Sequence, residues 1–148
     1  MSRIAAVALV LFTGFLAACA STPQEGERSA QPVRVVYHFS EAGEQPSRGL
    51  QFIRNHLDAD PQAKIVVVTH AAGVDFLMKG AKTPRGNPYL TQIEELDLQD
   101  VKFFICEITL RERNLRHDDF VEQARFVPSG VAEIARLQSR EGYAYIKP

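Results

Sequence analysis

Strand-like and helix-like apolar patterns alternate along most of the chain. Short runs of β-branched and aromatic residues predict strands over 33–38, 64–70, 103–106, 125–127 and 143–146. Between them, apolar residues recur three or four positions apart, as Leu50, Ile53 and Leu57 do, which predicts helices with one buried face. Because strands and helices alternate, we expect an α/β fold, a mostly parallel sheet of about five strands with helices on both faces in flavodoxin-like layers.

Capping residues mark two of the predicted helices. Residues 91–94 (TQIE) match the capping-box pattern, and Ser129 is a suitable N-cap for a last helix that stops near Gly142. The apolar positions expected to face the core in these two helices are Leu90, Ile93, Leu96, Val131, Ile134 and Leu137.

The first residues follow a different pattern, an uncharged apolar run over 4–18 behind Arg3. The run is shorter than the roughly 20 residues of a membrane-spanning helix and is typical of a signal peptide. It ends in Leu-Ala-Ala-Cys at 16–19, which resembles the bacterial lipobox. That resemblance implies a signal peptide over 1–18 and lipid on Cys19, the first residue of the mature chain. An uncleaved anchor helix and a plain secretory signal are the alternatives.

The residues after Cys19 predict where the protein is held. No Asp follows Cys19, and by resemblance to Gram-negative lipoprotein sorting this favours the periplasmic face of the outer membrane. Residues 21–32 are rich in Pro, Ser, Gly, Gln and Glu without apolar periodicity, which is typical of a flexible tether. We therefore expect a lipidated N-terminus and tether over 19–32 and one folded domain over 33–148.

Composition and motifs exclude several classes of function. A net charge of -1 with 24% charged residues gives no basic surface of the kind that binds nucleic acid. The sequence has neither a GxGxxG motif nor a phosphate loop, which argues against a nucleotide cofactor. It also lacks the CxxC and HxxxH spacings of common metal sites. We expect no cofactor and no metal.

Three predicted strands end in reactive side chains: His38, His70 and Cys106. In an open parallel α/β sheet, chemistry gathers at the carboxyl ends of the strands. The three side chains could therefore meet on one edge of the sheet, depending on a strand order that the sequence leaves open. His70 could orient a ligand or share a proton with Cys106. For His38 alone, a structural hydrogen bond is the simpler interpretation.

Cys106 has two opposed interpretations. If Cys19 carries lipid, Cys106 has no partner in its own chain, and a free thiol in an oxidising compartment must be shielded, cross-linked or used. Arg111, Arg113 and Arg116 follow it closely, and nearby cations favour the reactive thiolate. Free cysteine is, however, among the most buried residue types and often packs as a small apolar side chain. Three arginines on an exposed segment are usually only part of the solvated surface.

Several segments together resemble the DsrE/DsrF-like family. They are 66–73 (VVVTHAAG), 104–110 (FICEITL), 126–131 (FVPSGV) and the closing 137–148 (LQSREGYAYIKP). Their order and spacing cover nearly all of 33–148. One position departs from the family pattern, since Ala71 stands where a glycine usually follows the histidine.

The resemblance implies a function and partners. The best-known family members assemble as homotrimers or related oligomers and carry sulfur as a persulfide on a strand-end cysteine, a position that Cys106 matches. It implies Cys106 as the residue that carries sulfur, and sulfur donor and acceptor proteins as partners. On this basis, together with the strand-end positions and the nearby arginines, we predict Cys106 and His70 as catalytic residues and His38 and Arg111 as ligand-binding residues. We expect a trimer or hexamer. Two alternatives stay open: a non-catalytic module that binds a small ligand or metal, and an oligomeric envelope scaffold whose cysteine only packs.

Overall fold

Five strands alternate with four α-helices in the computed structural model, which describes residues 31–148. The predicted signal peptide, Cys19 and nearly all of the tether lie outside these residues. The strands are β1 (Arg34–Phe39), β2 (Lys64–Thr69), β3 (Lys102–Cys106), β4 (Ala124–Val127) and β5 (Ala144–Ile146). The helices are α1 (Glu44–Ala59), α2 (Tyr89–Asp97), α3 (Glu107–Arg113) and α4 (Gly130–Glu141), with 3₁₀ helices at Ala71–Leu77 and His117–Asp119. None of the described helices is both long enough and apolar enough to span a bilayer.

The strand order is β4-β3-β2-β1-β5, and every pairing is parallel. From β1 to β4 the chain moves across the sheet in one direction, so right-handed crossovers place the intervening helices on a single face. The step from β4 to β5 runs back across the sheet, and the same handedness places α4 on the opposite face. The predicted parallel α/β fold with helices on both faces is confirmed.

Each face of the sheet has its own apolar core. On the first face, β-strand side chains such as Phe39 and Phe103 are fully buried against α1, α2 and the 3₁₀ helix Ala71–Leu77. On the opposite face, which we call the α4 face, a smaller cluster joins the sheet to Ile134 and Leu137 of α4. Because one helix covers the α4 face, polar side chains at its edge stay accessible.

Two of the predicted core positions are wrong. Leu90 is 41% exposed, because α2 begins at Tyr89 directly after Pro88 and the buried Tyr89 takes the core position in its first turn. The capping box over 91–94 therefore does not form. Val131 is 63% exposed, because Gly130 rather than Val131 packs on the sheet four residues before Ile134.

The predicted ends of α4 are confirmed. The Ser129 hydroxyl accepts a hydrogen bond from the Ala132 amide at 3.3 Å, an N-cap interaction that stabilises the first turn. Gly142 adopts φ 71 immediately after the helix, the left-handed conformation that glycine tolerates. Gly130, the first residue of α4, packs next to the ends of β2 and β3.

The segment after β2, which the sequence leaves unassigned, is a 3₁₀ helix tied to α3. The Ala71 amide donates to the Thr109 hydroxyl at 2.9 Å, and the Ala71 carbonyl accepts from the Arg113 guanidinium at 2.9 Å. Arg113 also pairs with Asp75 at 2.6 Å. These contacts hold Ala71 at φ 50, a left-handed conformation that is unfavourable for a residue with a Cβ.

Replacing Ala71 with glycine should therefore raise the unfolding free energy by up to about 1 kcal/mol. Relief of the left-handed strain, about 1–2 kcal/mol, is partly offset by the greater freedom of glycine in the unfolded chain. Equilibrium denaturation by urea measures the difference. Ala72→Gly is the matched control, because Ala72 lies next to Ala71 but is not among the positive-φ residues of 31–148. The unfolding free energy of this control should fall by about 0.5–1 kcal/mol. Equal losses in both variants would contradict the strain at Ala71.

Candidate functional site

One side chain from each of four neighbouring strands lies along the carboxyl-terminal edge of the α4 face. In spatial order they are Tyr145 on β5, His38 on β1, His70 directly after β2, and Cys106 at the end of β3. Side chains alternate between faces along a strand, and the neighbours Phe39 and Ile105 pack on the first face. His38 and Cys106 therefore point to the α4 face, and the strand order brings the predicted residues into one row.

Short hydrogen bonds connect the first three members of the row. The Nδ1 atom of His38 lies 2.7 Å from the Tyr145 hydroxyl, and its Nε2 atom lies 2.7 Å from Nε2 of His70. The two imidazole centroids are 4.8 Å apart. Only one of the facing Nε2 atoms can carry a hydrogen, because two N–H groups at this distance would repel each other. The geometry therefore requires at least one neutral imidazole.

The electrostatic environment keeps both histidines neutral at pH 7. Burial, the nearby His70 and Lys147, in decreasing order of effect, together lower the pKa of His38 to about 4. Burial, followed by the charge of Lys147, also lowers the pKa of His70. In each case the protonated form loses hydration and faces other positive charge.

Cys106 lies beside His70 at the end of the row. Thr69 pairs with Ile105 in the parallel register, so His70 and Cys106 occupy the next positions on strands about 4.8 Å apart. A Cβ added to Gly130 would stand 3.2 Å from the Cys106 Cβ and 3.5 Å from the His70 Cβ. The N-terminus of α4 therefore packs directly on these two residues, and the Cys106 side chain is left only 4% exposed.

Cys106 also lies where neighbouring strands lead to opposite faces. It pairs with Val127 of β4. The chain continues from β3 into α3, whose Leu110 packs on the first face, and from β4 into α4 on the other face. In open α/β sheets ligands usually bind at the carboxyl ends of strands where such a divergence occurs. Here the first residue of α4 packs over this position.

Comparison with known proteins identifies the domain. The model of the DsrE/DsrF-like family matches residues 31–148, which is the whole described part of the chain. The chain belongs to the DsrE/DsrF-like family. This confirms the resemblance seen in the sequence, and it places the row of side chains in a DsrE-like domain.

Solved structures agree with this assignment. The protein of unknown function MTH1491 from Methanobacterium thermoautotrophicum is 35% identical, with a TM-score of 0.69 over 78% of this chain and 99% of that one. The ychN protein from E. coli has a TM-score of 0.66 over the same shares at 13% identity, a likeness of fold alone. No protein of curated function matches the chain.

The predicted ligand-binding residue Arg111 lies on α3, the helix that begins directly after Cys106. It lines a groove of about 290 Å³ together with Glu107 and His117. The two arginines near it have structural contacts, since Arg113 holds the 3₁₀ helix Ala71–Leu77 and Arg116 pairs with Asp119 at 3.8 Å. The row itself therefore consists of histidine, tyrosine and cysteine.

Two members of the site were missed in the sequence. Tyr145 occupies the short edge strand β5, and Gly130 is the first residue of α4. The motif Pro-Ser-Gly before a helix was a usable signal for Gly130, because a glycine there permits close packing. Nothing local marks Tyr145, whose partner His38 is 107 positions away in the chain.

The row combines a thiol, two imidazoles and a phenol. No group of three His, Cys, Asp or Glu side chains within 31–148 is arranged to hold a metal ion. The facing nitrogens of His38 and His70 are engaged with each other at hydrogen-bond distance. The row offers a thiol at one end and, on the neighbouring strands, two imidazoles and a phenol that are joined by hydrogen bonds.

Proposed function

We propose that this DsrE-like protein carries sulfane sulfur as a persulfide on Cys106. The observation that carries the proposal is the position of the thiol, at the carboxyl end of β3 between His70 and the N-terminus of α4. The cysteine matches the strand-end position that carries sulfur in the best-known relatives. His70 is the catalytic partner in this proposal, and His38 acts through it.

The proposed reaction is a thiol exchange. The Cys106 thiolate attacks the sulfane sulfur of a donor R–S–SH, so that a Cys106 Sγ–S bond forms as the donor S–S bond breaks. The products are Cys106–S–SH and R–SH, with the proton of the Cys106 thiol replacing the sulfur lost by the donor. An acceptor thiol later removes the terminal sulfur by the same exchange, and no external oxidant or reductant is needed.

The surroundings of Cys106 support an anionic sulfur species. The first residue of α4 touches its side chain, and the N-terminus of a helix carries a partial positive charge that stabilises an anion within about one turn. His70 also packs against Gly130, and burial followed by the charge of Lys147 lowers its pKa, which leaves its imidazole free to accept the thiol proton in the proposed reaction. Thiolate is the nucleophilic form of cysteine.

The small exposure of Cys106 favours small donors. At 4% exposed, the side chain is accessible to an inorganic polysulfide or thiosulfate before it is accessible to a cysteine on another folded protein. Exchange with a donor or acceptor protein, the partners that the family implies, then requires the edge of the sheet to open. Burial alone would equally suit a packing cysteine, and the reactivity of Cys106 toward polysulfide separates the two roles.

Treatment with inorganic polysulfide should add the mass of one sulfur atom to the peptide that contains Cys106. The modification should disappear in Cys106→Ser, because oxygen cannot form the persulfide. Intact-protein and peptide mass spectrometry measure it, and peptide mapping separates Cys106 from Cys19.

The contrary result is equally clear. A Cys106 that stays unmodified and resists alkylation in the folded protein, yet reacts after denaturation, would contradict sulfur transfer. If Cys106→Ala then changed only the unfolding free energy, the scaffold with a structural cysteine would remain.

The proposal also covers location and assembly. The lipobox pattern at 16–19 supports a lipid anchor on Cys19 in the bacterial envelope, facing the periplasm. Family membership and two exposed side chains of the α4 face, Val131 and Tyr145, support assembly as a homotrimer or hexamer.

A further inference from the structure

A groove of about 520 Å³, which we call the arginine groove, lies between α1 and the loop that leads into α2. Helix α1 contributes Arg48 and Arg54 to its lining, and the loop contributes Arg85. Glu44 is the one carboxylate among the lining residues that the structure describes, so positive charge is in excess. The whole chain has a net charge of -1, which makes this concentration of cations a local feature.

On α1, the polar residues of the groove recur at helical spacing. Arg48, Gln51 and Arg54 are three residues apart and follow one side of the helix. A rise of 1.5 Å per residue separates the backbone of Arg48 from that of Arg54 by about 9 Å. The Arg54 guanidinium donates to Gln92 Oε1 at 2.7 Å and lies 3.9 Å from Glu95. This wall therefore presents two separated cations, one of which is held in place.

The loop forms a small hairpin over 82–88, closed by an antiparallel bridge between its end residues. The Thr83 amide donates to the Asn87 carbonyl, and the Gly86 amide donates to the Thr83 carbonyl, both at 2.8 Å. Gly86 has a φ of 86, a conformation that glycine adopts without strain. Arg85 precedes it at the tip of the turn, so backbone hydrogen bonds fix the point from which its side chain reaches the groove.

Two of the three arginines lack a carboxylate partner in the described part of the chain. Within 31–148, the ion pairs of up to 4 Å include neither Arg48 nor Arg85. Glu44 lies at the spacing of a helical ion pair with Arg48 and still does not form one. Cations that line one groove repel each other and concentrate a positive potential there. An anion bound between them would offset this repulsion.

We propose that the arginine groove binds a ligand with two or more phosphate groups. Guanidinium groups form paired, charge-assisted hydrogen bonds with phosphate oxygens. The separation of Arg48 and Arg54 favours a ligand with more than one anionic group, and the amides of Asn87 and Gln92 add neutral polar contacts. Pro84 is the one apolar residue among the described lining residues, which disfavours a ligand with a large apolar body.

This inference is independent of the proposed sulfur transfer. The groove lies between elements that pack on the first face of the sheet, whereas Cys106 points to the α4 face. Failure of Cys106 to carry sulfur would leave the groove unaffected, and failure of phosphate binding would leave sulfur transfer standing.

Calorimetric titration of the full-length chain with inorganic tripolyphosphate tests the groove. We expect saturable binding, which Arg48→Gln and Arg85→Gln should each weaken about tenfold, because each loses a charge-assisted hydrogen bond. Arg140→Gln is the matched control and should bind as the wild type does. It makes the same change of charge at an exposed residue in the last turn of α4, on the other face. Arg48 and Arg85 are also exposed, and urea denaturation should show that their variants fold.

Three results would overturn the proposal. Absence of saturable binding to the wild type would exclude a phosphate site. Equal weakening in all three variants would mean a general response to net charge. Binding of citrate as tight as that of tripolyphosphate at the same ionic strength would overturn the preference for phosphate over carboxylate.

Vesicles added to the titration distinguish the two sources of such phosphates, a soluble ligand and lipid headgroups. Competition by phosphatidylglycerol vesicles, without competition by phosphatidylcholine vesicles, would support binding of anionic lipid headgroups. Tripolyphosphate binding that neither vesicle reduces would support a soluble oligophosphate.

Discussion

Gly73→Ala is expected to lower the unfolding free energy by about 3 kcal/mol or more. An added Cβ would stand 2.3 Å from the Phe39 carbonyl oxygen and 2.6 Å from the Ser40 nitrogen, both of them backbone atoms at the end of β1. Backbone cannot rotate away as a flexible side chain can, so the 3₁₀ helix Ala71–Leu77 must separate from the strand. Overpacking in a rigid core commonly costs 1–3 kcal/mol, and a backbone clash lies at or beyond the upper end.

The same substitution should disturb the functional site. The Gly73 amide donates to the His70 carbonyl at 2.9 Å, so displacement of this helix also displaces His70 from His38. Urea denaturation gives the stability, and the histidine ring ¹⁵N spectrum reports the lost hydrogen bond. Ala72→Ser is the control, because Ala72 is exposed and precedes Gly73. A loss below about 1 kcal/mol in Gly73→Ala would mean that the close approach to Phe39 is relaxed in solution.

The unfolding free energy should fall by about 1–2 kcal/mol between pH 7 and pH 4 because of His38. Its pKa is about 4 in the folded chain against 6.5 ordinarily, so the unfolded chain binds the extra proton in this interval. The stabilising contribution is complete above pH 6.5 and is lost as the pH falls through 4. The magnitude allows for solvent screening of a partly exposed side chain. The lowered pKa of His70 acts in the same direction.

The acid effect is isolated by comparing the wild type with His38→Gln. Glutamine does not titrate, so the variant should lose less stability on acidification although its stability at pH 7 is lower. Carboxylates such as Asp100, whose pKa is lowered by hydrogen bonds to Lys102 and Lys64, contribute equally to both proteins and cancel in the difference. Identical pH slopes would contradict the neutral, hydrogen-bonded state of His38.

The strands and most helix positions were predictable because their signals are local. Alternation of β-branched runs with helical periodicity identified five strands, and each predicted strand overlaps the observed one. Ser129 and Gly142 were correctly placed at the ends of α4, since capping depends on residues adjacent in the chain. Leu90 and Val131 were wrongly expected to face the core, because periodicity alone does not show at which residue a helix begins. The first buried residues of these two helices are Tyr89 and Gly130.

The candidate site was only partly predictable. His38, His70 and Cys106 could be identified as strand-end residues, since a reactive side chain after an apolar run is visible in the sequence. Arg111 was chosen as a ligand-binding residue from its nearness in the chain to Cys106, and that role stays a prediction; in the structure it lines a groove with Glu107 and His117. Tyr145 had no local mark, because a hydrogen bond between residues on β1 and β5 depends on the pairing of distant strands.

The sequence by itself determined the α/β class, the positions of the strands, the family resemblance and the three strand-end residues. Each of these follows from residue type and short-range spacing, which are properties of neighbouring positions. Only the tertiary structure decided that β1, β2 and β3 are adjacent, that Tyr145 completes the row, and that α4 closes over Cys106 through Gly130. These features depend on crossover handedness and on packing between segments that are far apart in the chain. Residue type and short-range spacing do not specify which distant segments pair.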